Sequence, residues 1–168
     1  MSSAGPADPS TDGRSTADLL RRSLIGLATI AAAGTGLELV LLRHWDNALE
    51  WIPFVALVVL GVAVVVLAAR PGRRAVRFVR ALAVLVAIVG AIGVFIHVRS
   101  NYEAAPLDFR YTDSWPTTAE PIRWLLAATD TVGPSPTLAP AAITFAAIAL
   151  LAATLRHPAL TEDGSPEP

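Results

Sequence analysis

Residues 52–69 read IPFVALVVLGVAVVVLAA, a run with no charged residue. As an α-helix it rises roughly 27 Å, close to the thickness of the hydrocarbon core of a bilayer. Pro53 falls in the first turn, where its missing N–H leaves no bond unmade, and Arg70-Pro71-Gly72 stops the run. Strands are excluded because lipid tolerates no unpaired sheet edge, and the alternation of a membrane barrel is absent. The stretch therefore reads as a membrane-spanning helix.

Three further stretches have the same character, from about Leu24 to Leu42, Ala81 to Val98 and Leu138 to Leu155. Only Glu38 and His97 bring an ionisable group inside these limits. Composition agrees: 54% of residues are apolar and 16% charged, against about 25% charged in a soluble domain. Residues 1–18 are Ser, Gly, Pro and Asp with little to bury, and read as a disordered tail. Asp18 is placed to cap the helix that follows. The domain plan is thus a tail over 1–18, a transmembrane domain over 19–157 and a second tail over 158–168.

Arginine sets the expected orientation. With the N-terminus inside, the inner segments hold Arg14, Arg21, Arg22, Arg70, Arg73, Arg74, Arg77, Arg80 and Arg156. The outer segments hold Arg43, Arg99, Arg110 and Arg123. The fold class that follows is all-α, a four-transmembrane-helix bundle with both termini cytoplasmic. All four Trp residues and both Tyr residues then fall on the outer side, where amphipathic rings suit an interface. A cleavable signal peptide ending near Ala31-Ala32-Ala33 competes for the first span, but the apolar run continues unbroken to Leu42.

Small residues recur every fourth position in three spans: Ala28, Ala32 and Gly36; Ala83, Ala87 and Ala91; Ala142 and Ala146 with Ala149 and Ala153. Such stripes let helix backbones approach in lipid. The second span has no such stripe and is expected to face lipid. The outer segment from Arg99 to Thr137 is too long for a turn and too aromatic for disorder. Within it, TAEPIRWLLAAT at 118–129 predicts a short helix lying on the membrane surface or over the bundle mouth.

No cysteine is present, which removes disulfides, thiolate nucleophiles and iron–sulfur ligation. All thirteen basic residues are arginine, a bias that suggests a GC-rich bacterial genome and so a bacterial inner membrane. The groups able to carry chemistry gather at the expected outer mouth: Glu38, His44, His97, Asn101 and Glu103, near Arg99. Glu38, His44 and His97 are the candidate metal ligands or proton carriers. The plainer alternative gives Glu38 an arginine partner or a neighbouring helix, and leaves the histidines as interface residues. No HxxxH, HExxH or ExxH spacing is present, so no metal or other cofactor is called for. The Gly34-Thr35-Gly36 glycines lie inside a span and are packing residues, not a phosphate loop. The basic segment 70–80 has no aromatic surface behind it for nucleic acid.

The stretch from Glu38 to Trp45 followed by Trp51-Ile52-Pro53, with His97 near the end of a span and His157-Pro158 after the last, resembles a family of small bacterial four-helix membrane proteins. The resemblance spans most of 24–158 and implies the fold but no activity. The carboxylate in the first span is similar to that of the small multidrug exporters, whose chains are shorter and whose loops are tight. Three functions follow as expectations. The first is a non-enzymatic accessory or interaction subunit with an aromatic outer cap, whose partners are the bilayer and either another membrane protein or a second copy. The second is a small transporter or proton-translocating subunit using Glu38. The third is a metal- or haem-binding protein using the Glu/His cluster.

Overall fold

In the computed structural model the chain is described over residues 9–69, 72–155 and 157–161, and over these it is helical with no strand. Residues 1–8 and 162–168, parts of the two expected tails, lie outside the described residues, as do Arg70, Pro71 and Arg156. The helices are α1 (Pro9–Leu41), α2 (Ile52–Ala69), α3 (Arg73–Ala104), α4 (Glu120–Ala128), α5 (Leu138–Ala153) and α6 (Pro158–Thr161). Three segments are long and apolar enough to cross a membrane: Thr16–Leu41, Ala48–Ala69 and Arg73–Leu107. The expected fourth span is an apolar helix of 16 residues, about 24 Å long, short of that length.

Helix α1 starts ahead of the expected boundary, so residues 9–18 are helical rather than part of the tail. It closes with paired hydrogen bonds, Arg43 N–H to Val40 O at 3.1 Å and His44 N–H to Leu39 O at 3.0 Å. Arg43 sits at φ +52°, the left-handed position usually given to glycine in this stop. Asn47 then caps a 3₁₀ turn, Ala48–Trp51, by accepting from Leu49 N and Glu50 N, which delivers the chain into α2.

Helix α3 departs most from expectation. Its 32 residues make a rod of about 48 Å, extending beyond the expected 81–98 at both ends. Residues 73–80 of the basic segment are not a loop but the first two turns of α3. Val76 and Val79 are buried on the same face as Ala83, Val86 and Gly90. A helical apolar period therefore runs straight through the arginines, which are themselves good helix formers.

Helix α5 lies against both α1 and α3, and α2 packs on α3 and on α1. Helices α1 and α3 therefore flank α5 on either side. Eight residues of α5 are buried, including Ala146, Ala147, Leu150 and Ala153. Gly90 of α3 is where α5 comes closest: a Cβ there would lie 3.1 Å from Thr144 N and 3.2 Å from Pro140 O. Contrary to expectation, α2 does have a packed face, with Ala56, Leu60, Ala63 and Leu67 buried at helical spacing. Its stripe alternates Ala with Leu, so a search for small residues alone passes over it. On α3 the expected face is packed at Ala83 and Ala87, but Ala91 is exposed and the stripe continues instead through Val86 and Gly90. Outward-facing Ile30, Leu37, Val58, Val65, Ile88 and Phe145 remain exposed, an apolar mantle suited to lipid.

Candidate functional site: the cap end and the arginine end

The two ends of the helix assembly differ in chemistry. At one, where α3 ends and α5 begins, residues 105–137 fold into a cap. At the other, α5 ends between arginines of α1 and α3. We call them the cap end and the arginine end.

Asn101, an expected site residue, is fully buried at the cap end. Its side-chain amide donates to Ser135 O at 2.8 Å, Ala127 O at 3.2 Å and Asp130 Oδ1 at 3.2 Å. Its Oδ1 accepts from Ser135 N–H at 2.7 Å. One side chain thus ties the last turns of α3 to the end of α4 and to the approach to α5. Gly133, at φ +84°, lies against Asn101 so closely that a Cβ would stand 2.5 Å from Oδ1 and 2.7 Å from Cβ of Asn101. Asp130 in turn accepts from Thr137 N at 3.2 Å and from Thr137 Oγ1 at 3.1 Å. That sets a carboxylate at the N-terminus of α5, the favourable end of its dipole.

Beside this knot the expected surface helix is present as α4, packed on α3. Tyr102 stacks on Trp124 with centroids 4.5 Å apart and meets Trp115 edge-on at 5.4 Å. Glu120 accepts from Tyr102 Oη at 2.9 Å and from Trp124 Nε1 at 3.0 Å. Arg123 lies over the Trp115 ring and donates to Thr118 O and Pro116 O, each at 2.8 Å. Trp115, Ala105, Ala127 and Val132 form a small apolar core of their own.

At the tip of the cap, Asp108 accepts from Arg110 N at 3.0 Å and from Arg110 Nη2 at 2.6 Å, while that same Nη2 donates to Thr131 O at 2.8 Å. The hydrogen bonds from Arg110 hold the Asp108 carboxyl below the usual carboxylate range, and raise the Arg110 guanidinium in return. Phe109, pinned between the two, is 90% exposed, and neighbouring Leu107 is 87% exposed.

The remaining expected site residues do not converge. His97 Nδ1 lies 2.6 Å from Pro136 O. A carbonyl only accepts, so Nδ1 carries the hydrogen and ties the ring to the loop before α5. Glu103 pairs with Arg99 at 2.7 Å on the exposed face of α3. Glu38, half-buried in the last turn of α1, and His44 just beyond it make no side-chain bond to His97, Asn101 or Glu103 among the described residues. The reason is topological, because α1 and α3 stand on opposite sides of α5. Among the described residues no group of three or more His, Asp or Glu comes together that could hold a metal ion.

The arginine end was not anticipated as a site. Arg80 of α3 donates from Nε to Thr154 Oγ1 at 3.0 Å and from Nη2 to Thr154 O at 2.7 Å. Arg21 of α1 donates from Nε to Ala153 O at 3.3 Å and pairs with Asp18. Two guanidinium groups thus meet the carbonyls at the C-terminus of α5, where cations complement the dipole. His157 is buried beside them, and its Nδ1 accepts from Ala159 N–H at 3.2 Å to cap α6. Burial first, and then the charge of Arg21, lower its pKa from the ordinary histidine value. The one signal available in the sequence was arginine at helical spacing from apolar residues, Arg21 three before Leu24 and Arg80 between Val76 and Ala83.

No family model matches the chain, and no curated protein or solved structure matches it either.

Proposed function

We propose that the chain is a bacterial inner-membrane protein of four transmembrane helices, α1, α2, α3 and α5, with both termini cytoplasmic. On this reading it is a non-enzymatic accessory or interaction subunit, and the cap is its outward-facing docking element. Kinship with the small four-helix bacterial membrane proteins belongs to the same reading. A short α5 is compatible with crossing, since a helix sheathed by α1 and α3 needs less lipid-facing length than an exposed one.

The observation that carries the proposal is the pairing of a locked cap with a bare apolar tip. Asn101, the aromatic stack and the Asp108–Arg110 clasp hold the cap in one shape, yet Leu107 and Phe109 stand almost wholly exposed. From Val98 to its end at Ala104 α3 rises about 9 Å, and the 3₁₀ turn Ala105–Leu107 that continues it carries both side chains past the hydrocarbon boundary expected at Val98. Exposed apolar side chains on a fixed frame beyond the reach of lipid suit a protein partner.

The absence of native cysteine makes the test direct. Single cysteines at Leu107 and Arg74 are expected to label from opposite sides of sealed vesicles with an impermeant maleimide. Labelling from the same side would sink the span assigned to α3. A photo-crosslinker at Phe109 in native membranes is then expected to give one discrete adduct, with another protein or a second copy. No adduct from Phe109 or Leu107 would overturn the docking role.

A further inference from the structure

A recess of about 500 Å³ opens at the arginine end between the start of α1 and the end of α5. Leu20 and Leu24 form one wall, Ala152 and Leu155 the other, and Ala17 stands in its lining. Arg21 is the one charged residue in that lining. Its Nε and Nη1 are engaged by Ala153 O and Asp18, and its Nη2 has no partner among the described residues. The group is therefore oriented by the protein and still has N–H donors to offer. Arg22 beside it is exposed, as are Arg74 and Arg77 on α3 at the same end. Asp18, the acid next to the recess, is already bound to Arg21.

We infer that this recess seats a single anionic phospholipid, with an acyl chain along Leu20 and Leu24 and the phosphate on the Arg21 guanidinium. The inference rests on the proposal that the helices cross a membrane, but not on which side the arginine end faces. An apolar partner helix would cover the walls and leave the guanidinium donors desolvated and unmet, a costly arrangement. A phospholipid supplies an apolar chain and a phosphate in one molecule, and Arg matches phosphate oxygens with paired N–H bonds. Arg22 beside the recess, with Arg74 and Arg77 adding positive charge at the same end of the assembly, favours a headgroup with net negative charge over a zwitterionic one.

The test is native mass spectrometry of the full chain, stripped of lipid in detergent. It is then titrated with phosphatidylglycerol, with phosphatidylcholine of the same chains, and with inorganic phosphate. One phosphatidylglycerol per chain is expected to be retained about tenfold more tightly than phosphatidylcholine, with no retention of inorganic phosphate. Ala17→Trp fills the recess from an exposed position and is expected to abolish retention, with helix content unchanged by circular dichroism. Arg21→Gln is expected to weaken retention of both lipids, since both carry the phosphate that this guanidinium meets. Because it also removes a cap of α5, Ala17→Trp decides the matter if that variant does not fold. Equal retention of the two lipids, or undiminished binding by Ala17→Trp, overturns the inference. Phosphate bound as tightly as phosphatidylglycerol overturns it as well, in favour of a bare anion site. Resistance of the chain to alkaline carbonate extraction is measured alongside. A chain that carbonate releases defeats the membrane reading itself, whereas a resistant chain without lipid preference defeats only this inference.

Discussion

The two ends of α5 are fastened by opposite means. At the cap end a short neutral amide, Asn101, is fully buried and makes four fixed bonds, while a carboxylate meets the helix N-terminus. At the arginine end two long guanidinium groups reach in from flanking helices to the final carbonyls. A buried amide has no water to replace a lost partner, so that lock holds or fails as a whole. The cations lie nearer to solvent, where rearrangement and screening soften any loss. The rigid end is the one that presents Phe109 and Leu107, and the softer end is the one with an open recess.

The sharpest way to break the contrast is Asn101→Ala. It strands Ala127 O, Ser135 O and Ser135 N in a buried site, and should cost about 3 kcal/mol in unfolding titrations in detergent. It should also make the cap sensitive to protease ahead of the helices. A loss below about 1 kcal/mol would remove Asn101 as the organising residue of the cap. Arg80→Met at the other end leaves Thr154 O without its charged donor and should cost about 2 kcal/mol, with the cap still resistant to protease. Equal loss of cap protection in both variants would mean that the ends are not independent.

Acidification below neutral pH should act first at the arginine end, since Asp108 at the cap takes up its proton only below the ordinary carboxylate value of 3.8. His157 has a folded pKa below its ordinary value of 6.5. The unfolded chain therefore takes up that proton first as pH falls. The stability His157 contributes is fully present above about 6.5 and is lost as pH drops through the lowered folded value. Melting curves across this range should show a slope toward acid that His157→Asn abolishes, since Asn keeps an acceptor for the Ala159 N–H but does not titrate. A slope unchanged in that variant would assign the titration elsewhere. The smallest effect is a gain. Arg43→Gly relieves the left-handed backbone at the end of α1 and should add about 1 kcal/mol. No gain would show that the Arg43 side chain contributes there.

The sequence was a good guide wherever one segment decided the outcome by itself. The limits of α2 and the existence of α4 follow from an unbroken apolar run and from an early proline ahead of an amphipathic turn. It was a poorer guide where polar residues sit on an apolar period. Arg73 to Arg80 read as a loop because charge ends a span, yet Val76 and Val79 bury the same turns against the core. Asn101 was legible as a candidate only as one polar residue near others. That its partners would be backbone groups of 127 and 135 was not, because those lie far along the chain and meet it only after α4 and the Gly133 turn have formed.

By itself the sequence determined that the chain is helical and apolar enough to cross a bilayer, because hydrophobic length and charge placement are local quantities. That only three of the four expected spans reach full length came from the structure. Only the tertiary structure decided which polar groups meet. It set α1 and α3 on either side of α5 and so parted Glu38 and His44 from His97 and Asn101. By the same packing it brought Arg21 and Arg80, remote in sequence, to one helix end. The physical reason is that a helix fixes the order of its faces through its period, while its neighbours are chosen by packing, as at Gly90 against Thr144, where the absence of a side chain lets α5 come close.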